Sequence, residues 1–215
     1  MTEFRVAVLT PSTGICRVEY AQSLAKMVGY FSQVRVYEDR ESQMLVTDSI
    51  IGSGIGANYE TMVRKWLDDD RGWTHFLSVE DDMMFPADAL HRLARHRVPI
   101  CGANYSTNKG QRLYFTAGMC GKRFVTDDTS TGIEEVDLIP QGLTLVAREV
   151  YETVPMPWYT GGYMADYHFS EKARNHGFHI YVDHDVSKEI GHIGPHVYTY
   201  RDALAHYQQE ASNGG

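Results

Sequence analysis

The run Thr74-His75-Phe76-Leu77-Ser78-Val79-Glu80-Asp81-Asp82-Met83-Met84-Phe85-Pro86 limits the fold more than any other stretch of the chain. Phe76 to Val79 reads as a buried strand. It ends abruptly at three acids. Pro86 suits the first turn of a helix, and Ala87 to Leu93 continues it with apolar residues at helical spacing. Three carboxylates therefore sit at the carboxyl end of a strand, where open α/β sheets place their ligands. Strand alternation carried through the acids sends Glu80 and Asp82 to one side and Asp81 to the other. Two hard oxygen ligands converging on one point suit magnesium, manganese or calcium. The plain alternative is a solvated acidic turn capping the next helix.

The flanking sequence supplies units that such a strand can join. Phe4 to Leu9 alternates as a first strand, and Thr10-Pro11-Ser12-Thr13-Gly14 breaks it. Arg17 to Phe31 carries Val18, Ala21, Leu24, Ala25 and Val28 at helical spacing, and Val34 to Tyr37 follows as a short strand. Together they make a right-handed parallel βαβ unit. Gly52 to Asn58 resembles a phosphate loop, but no Lys-Ser/Thr pair follows and no clear strand precedes it. It reads instead as a glycine-rich entry to a helix, Asn58 to Leu67, with Tyr59, Met62, Val63, Trp66 and Leu67 inward. Asp68 to Asp70 is a loop. Val98 to Ala103 is a further strand.

From Arg112 the pattern changes to short strands, Leu113–Ala117, Lys122–Val125 and Ile133–Leu138, which read as an antiparallel insertion. Gly142 to Val146 returns to the core and leads into a short helix, Ala147 to Thr153. An aromatic loop, Val154 to Tyr163, precedes a helix from Asp166 to Asn175 with Tyr167, Phe169 and Ala173 inward and Gly177 closing it. Phe178 to Val182 is the last long strand. Tyr200 to Gln209 is a surface helix. One domain over residues 1–210 is expected, with 211–215 frayed.

The net charge of −8 repels duplex DNA and anionic membranes. Lys109, Arg112, Lys122 and Arg123 form a local basic cluster, read as a solvated hairpin face. The opening residues lack the basic-then-apolar pattern of a signal peptide, and no apolar stretch approaches the roughly 20 residues that span a bilayer. Three cysteines without metal-type spacing fit a reduced setting. A soluble cytoplasmic protein is the expectation.

Four of these pieces, in this order, resemble the nucleotide-sugar-dependent glycosyltransferases of the GT-A fold. They are the opening strand and loop, Val6 to Pro11; the strand, acids and Met-x-Phe-Pro of Phe76 to Pro86; the Gly142-Leu-Thr-Leu-Val-Ala-Arg strand and helix with Pro157-Trp158-Tyr159 and Ala165-Asp166-Tyr167-His168-Phe169; and Ile180 to Asp183 closing on Ile190-Gly191-His192-Ile193-Gly194. The resemblance implies a Rossmann-like α/β fold, a mixed but mostly parallel central sheet flanked by helices, with a small antiparallel insertion. It departs from the family in two places. The D-x-D motif stands here as Glu80-Asp81-Asp82, and the family's Glu-Asp pair stands as Ala165-Asp166.

The resemblance also implies roles. Asp82, Glu80 and His192 would ligate a divalent ion, manganese rather than magnesium because an imidazole joins the carboxylates. Glu80 and Asp81 would also contact the donor. Asp166 would be the catalytic base of an inverting transfer, or simply the N-cap of its helix. Thr10 and Pro11 would line the nucleoside pocket, Asn58 would reach the donor, and Trp158 would stack on the sugar or else pack in the core. The donor is a nucleotide-diphosphate sugar; the acceptor, whether glycan, small molecule or modified nucleic-acid base, is left open. Two other readings stand beside this one. A nucleotidyltransferase of related fold would use Arg17 near the first loop, and a non-catalytic sugar- or metal-binding module would keep the acids without turnover.

Overall fold

The computed structural model describes residues 3–39, 42–52, 54–107, 113–160 and 164–213. Lys109 and Arg112 of the basic cluster, Ser53 of the glycine-rich turn, Tyr163 of the aromatic loop and the last two glycines lie outside them.

The central sheet has seven strands: β1 (Glu3–Ser12), β2 (Ser42–Ile51), β3 (His75–Val79), β5 (Ile100–Gly102), β8 (Ile133–Val136), β9 (Leu143–Ala147) and β10 (Ile180–Asp183). Their order is β2-β1-β3-β9-β5-β10-β8. Five run in one direction; β9 and β8 run against them. Alternation along the middle strands serves two cores. Val6, Val8, Leu77, Val79, Leu143 and Leu145 face one side, with α1 (Val18–Gln33) and α3 (Ala89–Arg95). Ala7, Leu9, Phe76 and Val146 face the other, with α2 (Ile55–Leu67), α4 (Arg148–Thr153) and α5 (Ala165–Asn175). Burial on both faces is what helix-covered α/β sheets demand of their central strands.

Several local expectations are corrected. Val34 to Tyr37 is not a strand. Val36 and Tyr37 are buried, but their neighbourhood is pinned by Gln43, whose side chain donates to the Val34 carbonyl and accepts from the Val36 amide at 2.9 Å. The second strand is β2, which supplies the strand missing before the glycine-rich turn. β1 continues through Pro11 to Ser12, because β2 pairs with it along its whole length while β3 pairs only as far as Leu9. A proline is tolerated where one side of a strand has no ladder partner. The inward face of α1 is Tyr20, Ser23, Met27 and Phe31, while Val18 and Val28 are exposed. Tyr167 on α5 is also exposed.

The insertion is smaller than expected. β6 (Gly118–Met119) and β7 (Lys122–Arg123) form its hairpin, Leu113–Ala117 contributes a single bridge from Phe115 to Ser106, and β8 joins the main sheet beside β10. The last helix, α6 (Tyr200–Asn213), runs past Gln209. A separate small sheet, β12-β11-β4, joins β4 (Met83–Met84), β11 (Gly191–Ile193) and β12 (Val197–Tyr198). Among the described residues no helix is long and apolar enough to cross a membrane.

Candidate functional site

The strand geometry of β3 stops at Val79, and the acids occupy a turn closed by the Met83 amide on the Glu80 carbonyl at 3.2 Å. The Glu80 amide in turn donates to the Gly142 carbonyl at 3.3 Å, fixing the turn to the start of β9. Immediately after the turn, β4 pairs with β11, setting His192 opposite Met83, and the Ile193 amide donates to the Asp82 carbonyl at 2.7 Å. The small sheet is thus the device that carries a histidine over a hundred residues along the chain onto the acids. Gly191 permits it, since an added Cβ there would run into Val197 and Met84 of the flanking strands.

Glu80, Asp82 and His192 each offer a ligand atom, and these lie within 4.8 Å of one another. His192 Nε2 is 3.2 Å from Asp82 Oδ2. Its Nδ1 is 2.9 Å from the Ser106 carbonyl, which can only accept, so Nδ1 donates there and the ring is oriented from behind. The Tyr105 ring meets the imidazole edge-on at 5.3 Å. Two carboxylates and an imidazole oriented from behind make a donor set that could hold a divalent cation.

Asp81 points elsewhere, as alternation required, although a turn rather than a strand separates it from its neighbours. Ser12 Oγ donates to its Oδ2 at 2.6 Å. There it borders a cavity of about 250 Å³ between β1, β2 and α1, lined also by Thr10, Tyr20, Thr47 and Ile51. Thr10 and Tyr20 share a hydrogen bond at 2.5 Å. Pro11 is buried within β1, and Asn58 is buried at the entry of α2 with its amide 3.5 Å from the Ile50 carbonyl; neither lines this cavity or the larger cleft described next. Arg17 is exposed in the loop before α1.

On the other side of the acid turn lies a cleft of about 710 Å³, bordered by Glu80, His192, Tyr105, Asp166, Met164 and Arg123. Asp166 is not the cap of α5. Met164 holds the N-cap position, and Asp166 lies inside the first turn, its Oδ2 accepting from the Gln141 amide at 3.4 Å. Burial pushes its pKa up from 3.8 to about 6, with the Gln141 amide pulling the other way. Lys122 and Arg123 also border the cleft and are exposed, as a hairpin face should be.

Trp158 packs in the core. It is 4% exposed, its ring edge meets Tyr151 at 5.3 Å, and its indole donates to the Val154 carbonyl. It borders neither the smaller cavity nor the cleft, so it presents no face to a sugar there. Ala165, where the family has Glu, is buried with its Cβ close to Gly56 of α2, so a longer acidic side chain has no room there. Sequence reasoning missed Ser12, Tyr20, Tyr105 and the Gln141-Gly142 pair. Gln141-Gly142 had one signal, a polar residue beside a glycine before a strand, which many ordinary loops share; Ser12, Tyr20 and Tyr105 had none.

No family model matches the chain, and no curated protein matches it in sequence. Solved structures do match in shape. A197 from STIV aligns with a TM-score of 0.61 at 14% identity, covering 89% of this chain and 86% of that one. The catalytic domain of Drosophila β1,4-galactosyltransferase 7, solved with xylobiose, gives 0.52 at 11% identity over 89% and 71%. GalNAc-T7, solved with UDP, GalNAc and Mn2+, gives 0.56 at 9% identity; 88% of this chain aligns with 43% of that protein. The chain has the α/β fold of these glycosyltransferase domains. Identities this low speak to fold alone.

Proposed function

We propose that this chain is a single-domain, metal-dependent glycosyltransferase that moves a sugar from a nucleotide-diphosphate donor to an acceptor hydroxyl. The observation that carries the reading is the convergence of Glu80, Asp82 and His192 at the end of β3, with Asp166 on the same cleft. A divalent cation held by those three residues, Mn2+ in preference to Mg2+, would supply the positive charge that a departing diphosphate needs.

The chain's own residues account for the rest. Adjacent acids of one turn border two different cavities, Asp81 the smaller and Glu80 the larger. A donor lying across the turn keeps its nucleoside against Thr10 and Tyr20 and its sugar in the cleft. Asp166, ionised near neutral pH, accepts the proton of the incoming hydroxyl. The buried Ala165 leaves Asp166 as the acid of that helix start, so the departure from the family's Glu-Asp pair costs the site a second carboxylate but not its base. The acceptor is a hydroxyl-bearing molecule small enough, or local enough, to enter the cleft.

The test is release of nucleoside diphosphate from UDP-, GDP- and dTDP-sugars, water serving as acceptor, with and without Mn2+. Turnover of one donor that needs the metal and disappears in Asp82→Ala is the expected result. Turnover of a nucleoside triphosphate with a sugar phosphate instead would favour nucleotidyl transfer. Tight binding without any turnover would favour a binding module.

A further inference from the structure

The geometry points to Tyr105 as a further substrate-binding residue, a phenol that donates a hydrogen bond to a ring hydroxyl of the transferred sugar. The inference rests on the glycosyltransferase reading above. Tyr105 follows β5, at the same edge of the sheet as the acids, and borders the larger cleft with Glu80, Asp166 and His192. It does not border the smaller cavity, so its partner is the part of the donor beyond the diphosphate.

Its hydroxyl oxygen is already an acceptor, taking the Gly142 amide at 3.0 Å. A phenol has one proton to give, and among the described residues no protein group receives it. A phenol proton without a protein acceptor can offset the desolvation of a sugar hydroxyl that enters the cleft.

The position is tightly held. The Tyr105 amide donates to Thr116 Oγ1 at 3.2 Å and its carbonyl accepts from the Thr116 amide at 3.0 Å. Its ring meets His192 edge-on. Gly142 leaves no space for movement, because an added Cβ there would overlap the phenol. Gly142 also ties the ring to the backbone around Glu80 and Asp166. The Gly142 carbonyl takes the Glu80 amide, and the preceding Gln141 amide holds Asp166.

The test compares Mn2+-dependent binding of UDP with that of UDP-glucose and UDP-galactose, and of GDP with GDP-mannose, by calorimetry on the wild type and Tyr105→Phe. The expected result is a loss of about tenfold in affinity for the recognised nucleotide sugar, the order expected for one neutral hydrogen bond, with affinity for the bare nucleotide within twofold of wild type. Equal losses for both ligands would mark a structural role and overturn the proposal, as would no loss for either. Absence of any metal-dependent nucleotide binding by the wild type would overturn the glycosyltransferase reading, and the proposal with it. Should the variant fail to fold, 3-fluorotyrosine placed at position 105 of the otherwise native chain answers the same question. Its fluorine resonance should move on adding the nucleotide sugar but not the nucleotide; the opposite pattern overturns the assignment.

Discussion

At the residue scale, Asp166 separates function from stability most sharply. Its carboxyl is held up at about 6 by burial, against 3.8 in an unfolded chain. The folded state therefore binds this proton more tightly than the unfolded one. The stability it contributes is fully present below pH 3.8 and is lost as pH rises through about 6. A base must be ionised to work, so the transfer rate should rise with pH across the same window and level off above it. Asp166→Asn should abolish transfer, leave donor affinity intact and raise stability at pH 7 by roughly 1–3 kcal/mol, the scale of two pKa units discounted for partial exposure. Rate–pH profiles and thermal melts read both effects. A destabilised Asn variant would mean that the carboxylate serves structure.

At the element scale, the site depends on two devices of very different legibility. The strand, acids and helix from Phe76 to Leu93 could be read directly, because an apolar run stopped by charge has few other uses. The divergence of Asp81 from Glu80 and Asp82 was also readable, although a turn produces it rather than a strand. His192 was reachable only through family resemblance. Its partner strand is two residues long, and pairing of β4 with β11 leaves no periodic trace in either segment. β2 was missed for a related reason: as an edge strand it is neither apolar nor cleanly alternating, and Val34 to Tyr37 offered a more hydrophobic decoy. The face of α1 was misassigned because aromatic and methionine side chains outcompete valine for the interior.

Two substitutions test these devices. Gly191→Ala should cost about 1–3 kcal/mol and weaken Mn2+ binding, because Val197 must move and β11 with it. Adding Val197→Ala should restore much of both in melts and in Mn2+ titrations, a coupling expected only of neighbours. Trp158→Ala should cost about 3–5 kcal/mol by emptying a core site, with nucleotide binding retained below the melting temperature. Selective loss of sugar binding in a stable Trp158→Ala protein would return that indole to the site.

At the scale of the whole molecule, the sheet separates two cores and gathers the residues of the proposed site along one edge. The carboxyl ends of β1, β3 and β5 supply Ser12, the acid turn and Tyr105, and the start of the antiparallel β9 supplies Gln141 and Gly142. That arrangement places a cavity on either side of one acidic turn, and the central claim is that a single donor molecule occupies both. The most direct measurement is the melting temperature in the presence of nucleotide sugars, with Mn2+ and with EDTA, for the wild type and Asp82→Ala. A ligand at a hundred times its Kd stabilises the folded state by about 2.7 kcal/mol. The expected result is a clear rise with one nucleotide-diphosphate sugar, present with Mn2+, absent with EDTA and absent in Asp82→Ala. A rise that survives EDTA and the substitution, or no rise with any such donor, would contradict the account.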